Sequence, residues 1–269
     1  MSLITASILG FVQGVTEFLP ISSTGHLILA RSFLEIVDSH ALAFDAVLQM
    51  ATVCAVIVYF WRDLWTLLQT FLRYIGRAPV NTRDINLVWA LIIGTIPAVV
   101  VGLLLEDMME AAFRSPLLVA LVLVVGSGLF ALAELRYTKR PMQKEITIKT
   151  GLLIGFFQTL ALIPGMSRSG STIAGGMLLG LSRVEATRFG FLLAIPIILG
   201  SGFKKLFELM TVGAGEVVWS ALLGGALVAF LVGLCAIHFM IRFVRTHTLW
   251  PFIWYRLALA AFVVVVLYY

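Results

Sequence analysis

Residues 10–28 read GFVQGVTEFLPISSTGHLI, and residues 155–173 read GFFQTLALIPGMSRSGSTI. At a constant offset of 145 residues, Gly10, Phe11, Gln13, Ser22, Gly25 and Ile28 fall on Gly155, Phe156, Gln158, Ser167, Gly170 and Ile173. The same offset carries Phe44 onto Phe189. Further along, VWALIIG (88–94) faces VWSALLG (218–224), and Pro116 faces Pro251 at the head of each final apolar run. The glycine and polar matches carry the weight, because an apolar chain matches aliphatic residues by chance. The sequence reads as a duplicated unit, repeat 1 over about 1–137 and repeat 2 over about 150–269, within one integral membrane domain spanning 1–269.

Composition fixes the solvent in which the duplication must be read. Of 269 residues, 61% are hydrophobic and 12% charged, against roughly 25% charged in a soluble domain. The mean hydropathy is +1.04. Apolar runs of the length needed to cross a bilayer, about 20 residues, lie near 43–61, 86–105, 116–135, 185–207, 217–241 and 250–269. The runs 3–19, 24–37, 151–163 and 171–182 are shorter and broken by Pro, Gly and Ser. They are expected to form two re-entrant helix-loop-helix hairpins. The fold class is therefore an all-α polytopic membrane protein with about six transmembrane helices. A hairpin does not change sides and three crossings do, so the second unit is expected upside down relative to the first. In such an inverted-topology repeat the two hairpin tips enter from opposite sides and meet at the pseudo-two-fold axis.

Charge supplies the orientation. Arg62, Arg73, Arg77 and Arg83 follow the first crossing, and Arg136, Lys139, Arg140, Lys144 and Lys149 follow the third. Both groups are expected on the cytoplasmic side, with Arg242 and Arg245 returning there. Glu106, Asp107, Glu110 and Arg114 then face outside, and Lys204 and Lys205 are the exception at an outer end. The net charge of +5 is scattered through short loops rather than striped along one face, which argues against nucleic acid. Cys54 and Cys235 sit in apolar runs and suggest neither a disulfide nor a metal pair. The first residues, MSLITASILGFVQG, carry no basic region ahead of the apolar stretch, so the amino terminus is expected to belong to the fold.

EFLPISSTGH (17–26) and IPGMSRSGST (163–172) are the two tips. Two half-helix N-termini converging on one point present unpaired N–H groups that favour an anion. The hydroxyls of Ser22, Ser23, Thr24 and Ser167 also suit N-caps, and Gly25, Gly165 and Gly170 suit turns or close backbone approach to an anion. Arg168 adds a planar fork for phosphate oxygens, with Ser167 and Ser169 as further donors. Gln13 and Glu17 stand four apart and share a helix face, where they can orient a water, a hydroxyl or a divalent cation. His26 lies close enough in sequence to exchange a proton there. An ion pair between Glu17 and Arg168 that only staples the hairpins is the plain alternative.

The stretches QGVTEFLPISSTGH (13–26) and PGMSRSG (164–170) resemble the two signatures of the bacterial undecaprenyl pyrophosphate phosphatases, the BacA/UppP family, and the resemblance spans nearly the whole chain. The opening position of the first signature accepts Glu or Gln, and this chain has Gln13. The resemblance implies an enzyme of the bacterial plasma membrane that removes the terminal phosphate of a C55 polyprenyl pyrophosphate. It thereby regenerates carrier lipid for cell-wall polymers and confers bacitracin resistance. A divalent cation, Mg²⁺ or Ca²⁺, an active site open to the outer face, surrounding membrane lipids and a homodimer are implied with it. The motif places the acidic site on Gln13 and Glu17, the hydroxyl and imidazole positions on Ser23, Thr24 and His26, and the arginine motif on Ser167, Arg168 and Ser169. Ser23 is the assigned nucleophile, with Glu17 or His26 taking its proton; a phosphohistidine at His26 and direct attack by water are the alternatives. Glu17 is the assigned metal ligand and Asp45 a possible second carboxylate. The rival class is an inverted-repeat transporter or flippase for a phosphate-bearing lipid or anion.

Overall fold

A computed structural model of the chain describes residues 1–34, 36, 41–105, 116–139, 144–212 and 219–268. The described residues form eleven helices and no strand. The first hairpin is α1 (Leu3–Phe18) and α2 (Ser23–Phe33); α3 (Ala41–Tyr59), α4 (Trp61–Ile75), α5 (Thr82–Leu104) and α6 (Pro116–Lys139) follow. The second hairpin is α7 (Ile148–Leu160) and α8 (Arg168–Leu178), followed by α9 (Arg183–Val212), α10 (Trp219–Thr246) and α11 (Trp250–Tyr268). Helices α5, α6, α9, α10 and α11 are long and apolar enough to span a membrane, and α3 with α4 makes a sixth candidate if the bent pair is one span. Helices α1 and α7 have 16 and 13 residues. At 1.5 Å per residue they reach about 24 and 20 Å, short of the ~30 Å hydrocarbon core. The acidic loop expected at Glu106, Asp107, Glu110 and Arg114, and the basic residue Arg140, lie outside the described residues.

The 145-residue offset recurs in the coordinates. Helix α2 begins at Ser23 and ends at Phe33, and α8 begins at Arg168 and ends at Leu178, the same positions shifted by the offset. The packing is reciprocal: α1 of the first unit lies mainly against α10 of the second, and α7 of the second lies mainly against α5 of the first. Small residues make both contacts possible, since without side chains two helices approach to backbone distance. Gly10 faces the carbonyl of Gly225, and Gly155 faces the carbonyl of Gly94. The counterpart of Gly94 is therefore Gly225, one residue beyond the sequence alignment, which had set Gly94 opposite Gly224. Apolar runs cannot register themselves, whereas a backbone contact can.

Gly155→Leu is expected to leave little folded protein, because its Cβ would meet the Gly94 backbone rather than a movable side chain. Gly200→Ala, which meets nothing within 4 Å, is the control. A monodisperse size-exclusion profile for Gly155→Leu in detergent, equal to the control's, would contradict this packing.

One element departs from the sequence reading. Residues 61–75, expected as part of a cytoplasmic loop, form α4, which leaves α3 at an angle of 76°. Leu64, Leu67 and Phe71 recur at helical spacing toward the protein, while Trp61, Trp65, Leu68, Leu72 and Ile75 recur toward the outside. The interspersed charges hid a helix with two apolar faces.

At the other end of the site the fold is pinned by a buried charge. Glu134 of α6 is fully buried and accepts a forked pair of hydrogen bonds from Arg183, at the start of α9, and one from the backbone N–H of Leu249 at 3.1 Å. It thus ties α6 to the start of both α9 and α11. Phe18, the last residue of α1, packs edge-on against Phe191 of α9 with centroids 5.3 Å apart. The first tip is seated in the main core.

Candidate active site

Both tips use the same unusual turn. Ser22 precedes α2 at φ 75° and ψ 98°, and Ser167 precedes α8 at φ 76° and ψ 118°. A residue with a Cβ held there costs of order 1–3 kcal/mol, a strain that concentrates at functional sites. Each serine side chain accepts the N–H two residues inside its helix, Gly25 at 3.4 Å and Gly170 at 3.2 Å. Ser22 and Ser167 are thus N-caps, which leaves the N–H groups of Ser23, Thr24, Arg168 and Ser169 at the opening of the two helices. Gly165 has φ 97°, and the backbone of Val119 lies where its Cβ would be. No other residue fits that turn.

The tips meet. Ser169 Oγ donates to the carbonyl of Leu19 at 3.1 Å and lies 3.2 Å from Ser167 Oγ. Arg168 reaches from the second tip to Glu17 Oε1 at 3.3 Å. The other carboxylate oxygen, Oε2, accepts from Gln13 Nε2 at 2.9 Å and from Ser23 Oγ at 2.7 Å. The ion pair by itself would be a staple. A serine hydroxyl donating to the same carboxylate, with an arginine beside it, is an arrangement that can also deprotonate the hydroxyl and stabilise the charge that follows. Glu17 is 7% exposed while Ser23 and Arg168 are half-buried, so the carboxylate is sheltered and the hydroxyl and guanidinium keep part of their surface open.

His26 is turned elsewhere. Its Nδ1 lies 2.7 Å from the carbonyl of Ser22. A carbonyl only accepts, so Nδ1 carries the proton. Its Nε2 lies 2.7 Å from the phenol of Tyr255 on α11, with the two rings nearly parallel at 6°. Among the described residues neither ring nitrogen bonds Ser23 or Glu17.

The family described as "Bacitracin resistance protein BacA" matches residues 6–262. The chain belongs to that family. Among curated relatives similar to this BacA chain, the "Undecaprenyl-diphosphatase" of Micrococcus luteus is 42% identical over 268 residues, covering 96% of this chain and 95% of the relative. The protein of the same name from Thermobifida fusca is 44% identical, covering 96% of this chain and 88% of its own length. That of Trichlorobacter lovleyi is 44% identical, covering 96% and 94%.

In this BacA chain several expected site residues have occupations of their own. Gly170 spends its N–H on Ser167, and the ring of Phe130 fills the space a Cβ would need. That glycine serves packing. Gly25 is buried with its N–H on Ser22, and Thr24 is half-buried with no side-chain hydrogen bond among the described residues. Asp45 makes a two-pronged ion pair with Arg31 at 2.5 and 2.7 Å, which occupies both of its oxygens.

The sequence reading also passed over two BacA residues. Tyr255 orients His26. Arg256, fully buried, donates to the carbonyls of Met166 at 3.2 Å and Gly165 at 3.1 Å, and to Ser127 Oγ and the α6 carbonyls of Val122 and Leu123. It holds the second tip from behind, with its guanidinium 4.7 Å above the Phe130 ring. The signal was present, since a lone arginine in an apolar span is a functional candidate by default.

For a divalent cation, no group of three or more His, Cys, Asp or Glu occurs among the described residues. Gln13 Oε1 is buried without a hydrogen-bond partner beside the Glu17 carboxylate. One carboxylate and one orphan amide oxygen fit a cation that brings its remaining oxygen ligands with a pyrophosphate, as Mg²⁺ commonly does.

Proposed function

We propose that this chain is an undecaprenyl pyrophosphate phosphatase acting through Ser23. The observation that carries the reading is the Ser23 hydroxyl donating to Glu17 at 2.7 Å, with Arg168 on the carboxylate's other oxygen. A carrier that only binds and releases a phosphate-bearing lipid needs donors but no hydroxyl aligned on a base.

Ser23 Oγ attacks the terminal phosphorus while its proton passes to Glu17 Oε2. The anhydride P–O bond breaks with its electron pair on the bridging oxygen, which leaves as prenyl monophosphate. Arg168, with the N–H groups at the two helix openings, stabilises the charge spread over the equatorial oxygens. Glu17 gives up its proton to solvent. A water then delivers hydroxide to the phosphoserine phosphorus and its proton, through Glu17, to the departing Ser23 oxygen. Inorganic phosphate and the free serine result. Gln13 Oε1 and Glu17 would hold a divalent cation, which neutralises pyrophosphate charge when bound. His26, protonated at Nδ1, keeps the Ser22 turn closed and shares the Tyr255 proton at Nε2.

The location belongs to the same proposal: the plasma membrane of a bacterium, with the site opening to the outer face. Two ion pairs support that orientation. Arg83 reaches Glu185 at 3.5 Å and Arg188 reaches Asp63 at 2.8 Å, so the starts of α4, α5 and α9 share one end of the bundle. That end holds the basic residues expected inside. Membrane lipids and a homodimer complete the reading.

The test is phosphate release from a polyprenyl pyrophosphate by purified protein with Mg²⁺ or Ca²⁺ present. Wild type is expected to release phosphate and Ser23→Ala to lose about 10³-fold or more, as for other nucleophile deletions. No release by wild type would remove the enzyme reading. Full activity in Ser23→Ala would move the attack to water or His26.

Tyr255→Phe removes one hydrogen bond worth about 1 kcal/mol of stability, and by loosening His26 and the Ser22 turn it is expected to lower turnover by at most about five-fold. The change should vary with pH, since the imidazole has lost the group that shares its proton. A pH profile parallel to wild type, at the wild-type rate, would leave Tyr255 a packing residue.

A further inference from the structure

A cavity of about 760 Å³ opens at the far end of α10, between that helix and the end of α3. Its size falls within the range of small-molecule and cofactor sites, roughly 300–1,000 Å³. Phe18, next to Glu17, packs beside Gly233, and the cavity continues from Leu234 to His247, sharing no lining residue with the Glu17, Ser23 and Arg168 constellation. The buried residues Ile237, Met240 and Ile241 of the main core lie on the inward face of this same stretch.

The lining is graded along the helix. Leu234 and Cys235 come first along α10, His238 and Phe239 follow, and Arg242, Thr246 and His247 lie nearest the helix terminus. His238 and Arg242 stand four apart, so they share one outward face of α10. The imidazoles are held in place by the protein. His238 Nδ1 is 3.2 Å from the Tyr59 phenol. His247 Nδ1 is 2.8 Å from Thr246 Oγ1, and its ring stacks on Phe243 with centroids 4.6 Å apart. Among the described residues neither Nε2 atom has a partner, and Arg242 pairs with no carboxylate. Three nitrogen-bearing side chains thus line one cavity with donors unspent. An arginine that only snorkels to the water needs no cavity and no oriented imidazoles.

Apolar toward the bilayer centre and cationic toward its edge, the groove matches the polarity of a single amphiphile. An arginine fork with imidazole donors suits phosphate oxygens, and the flat rings of Phe239 and Phe243 suit a hydrocarbon chain. We infer that this groove is a second, non-catalytic site, holding the phosphate of an anionic membrane lipid on Arg242, His238 and His247, with one of its chains along Leu234 and Phe239.

The test uses the full-length protein in non-ionic detergent, given phosphatidylglycerol or phosphatidylcholine and weighed intact by native mass spectrometry. Wild type is expected to retain one phosphatidylglycerol in preference to phosphatidylcholine. Arg242→Gln is expected to lower that retention about ten-fold, and Arg242→Lys, which keeps the charge, to lose less. Phosphate release by Arg242→Gln in phosphatidylcholine bilayers should stay within about two-fold of wild type, because the groove does not touch the reacting atoms; should Arg242→Gln not fold, His238→Gln with His247→Gln serves in its place. Equal retention of the two lipids by wild type, or undiminished phosphatidylglycerol on Arg242→Gln, would overturn the site. Displacement of the lipid by millimolar inorganic phosphate would overturn the lipid assignment and make this a free-phosphate site.

Discussion

Glu17→Gln is expected to lower phosphate release by about 10³-fold, in the middle of the range for losing a general base, while leaving a protein that folds. Glutamine keeps the shape and can still accept hydrogen bonds from Gln13 and Ser23 through its amide oxygen. It cannot hold the serine's proton, and it leaves Arg168 without the opposite charge 3.3 Å away. Arg168 tolerates that loss better than a deeply buried arginine would, because its side chain is 20% exposed on the cleft. A thermal unfolding curve for the variant, measured beside its turnover, separates the two effects. If Glu17→Gln keeps a tenth or more of wild-type turnover, Glu17 is not the base, and the Ser23 contact is only a staple within the first tip.

Arg168→Ala should cost as much or more, since an arginine facing the transferred phosphoryl group is worth about 10³–10⁵ in turnover. Arg168→Lys restores the charge but not the fork, and it should recover only a small part of the rate. The double variant Glu17→Gln with Arg168→Ala should fall well short of the product of the two single losses, because both residues serve one phosphoryl transfer and already contact one another. Additive losses would mean that the two tips act independently, and the meeting of the hairpins would then have no part in the chemistry.

The sequence made the hairpins legible because polar residues and glycines in an apolar chain carry information that aliphatic residues do not. Gln13, Ser22 and Gly25 match their copies at one offset, and the two half-helices begin and end on that offset. The contact of Glu17 with Arg168 was legible for the same reason, being costly in a membrane unless paired. The direction of His26 was not. Its partner Tyr255 lies 229 residues away, and nothing local to EFLPISSTGH points to α11. Gly170 looked like an approach point for an anion, but only the position of Phe130 on α6 shows what its missing Cβ accommodates. The two-pronged partner of Asp45, Arg31, fourteen residues earlier, was likewise not legible. Helix α4 was missed because arginines at Arg62 and Arg73 made its segment look like a loop, although its apolar residues kept helical spacing throughout.

The reciprocal packing of α1 on α10 and of α7 on α5 also orders the birth of the molecule. Helix α1 is made before every other described helix, and the surface that receives it, around Gly225 and Ala229, lies on the tenth of the eleven. Glu17, with Gln13 and Ser23 already beside it, therefore exists before its partner Arg168 is made, and Arg168 is translated before the helix that seats α1. No half-made chain can carry a finished cleft.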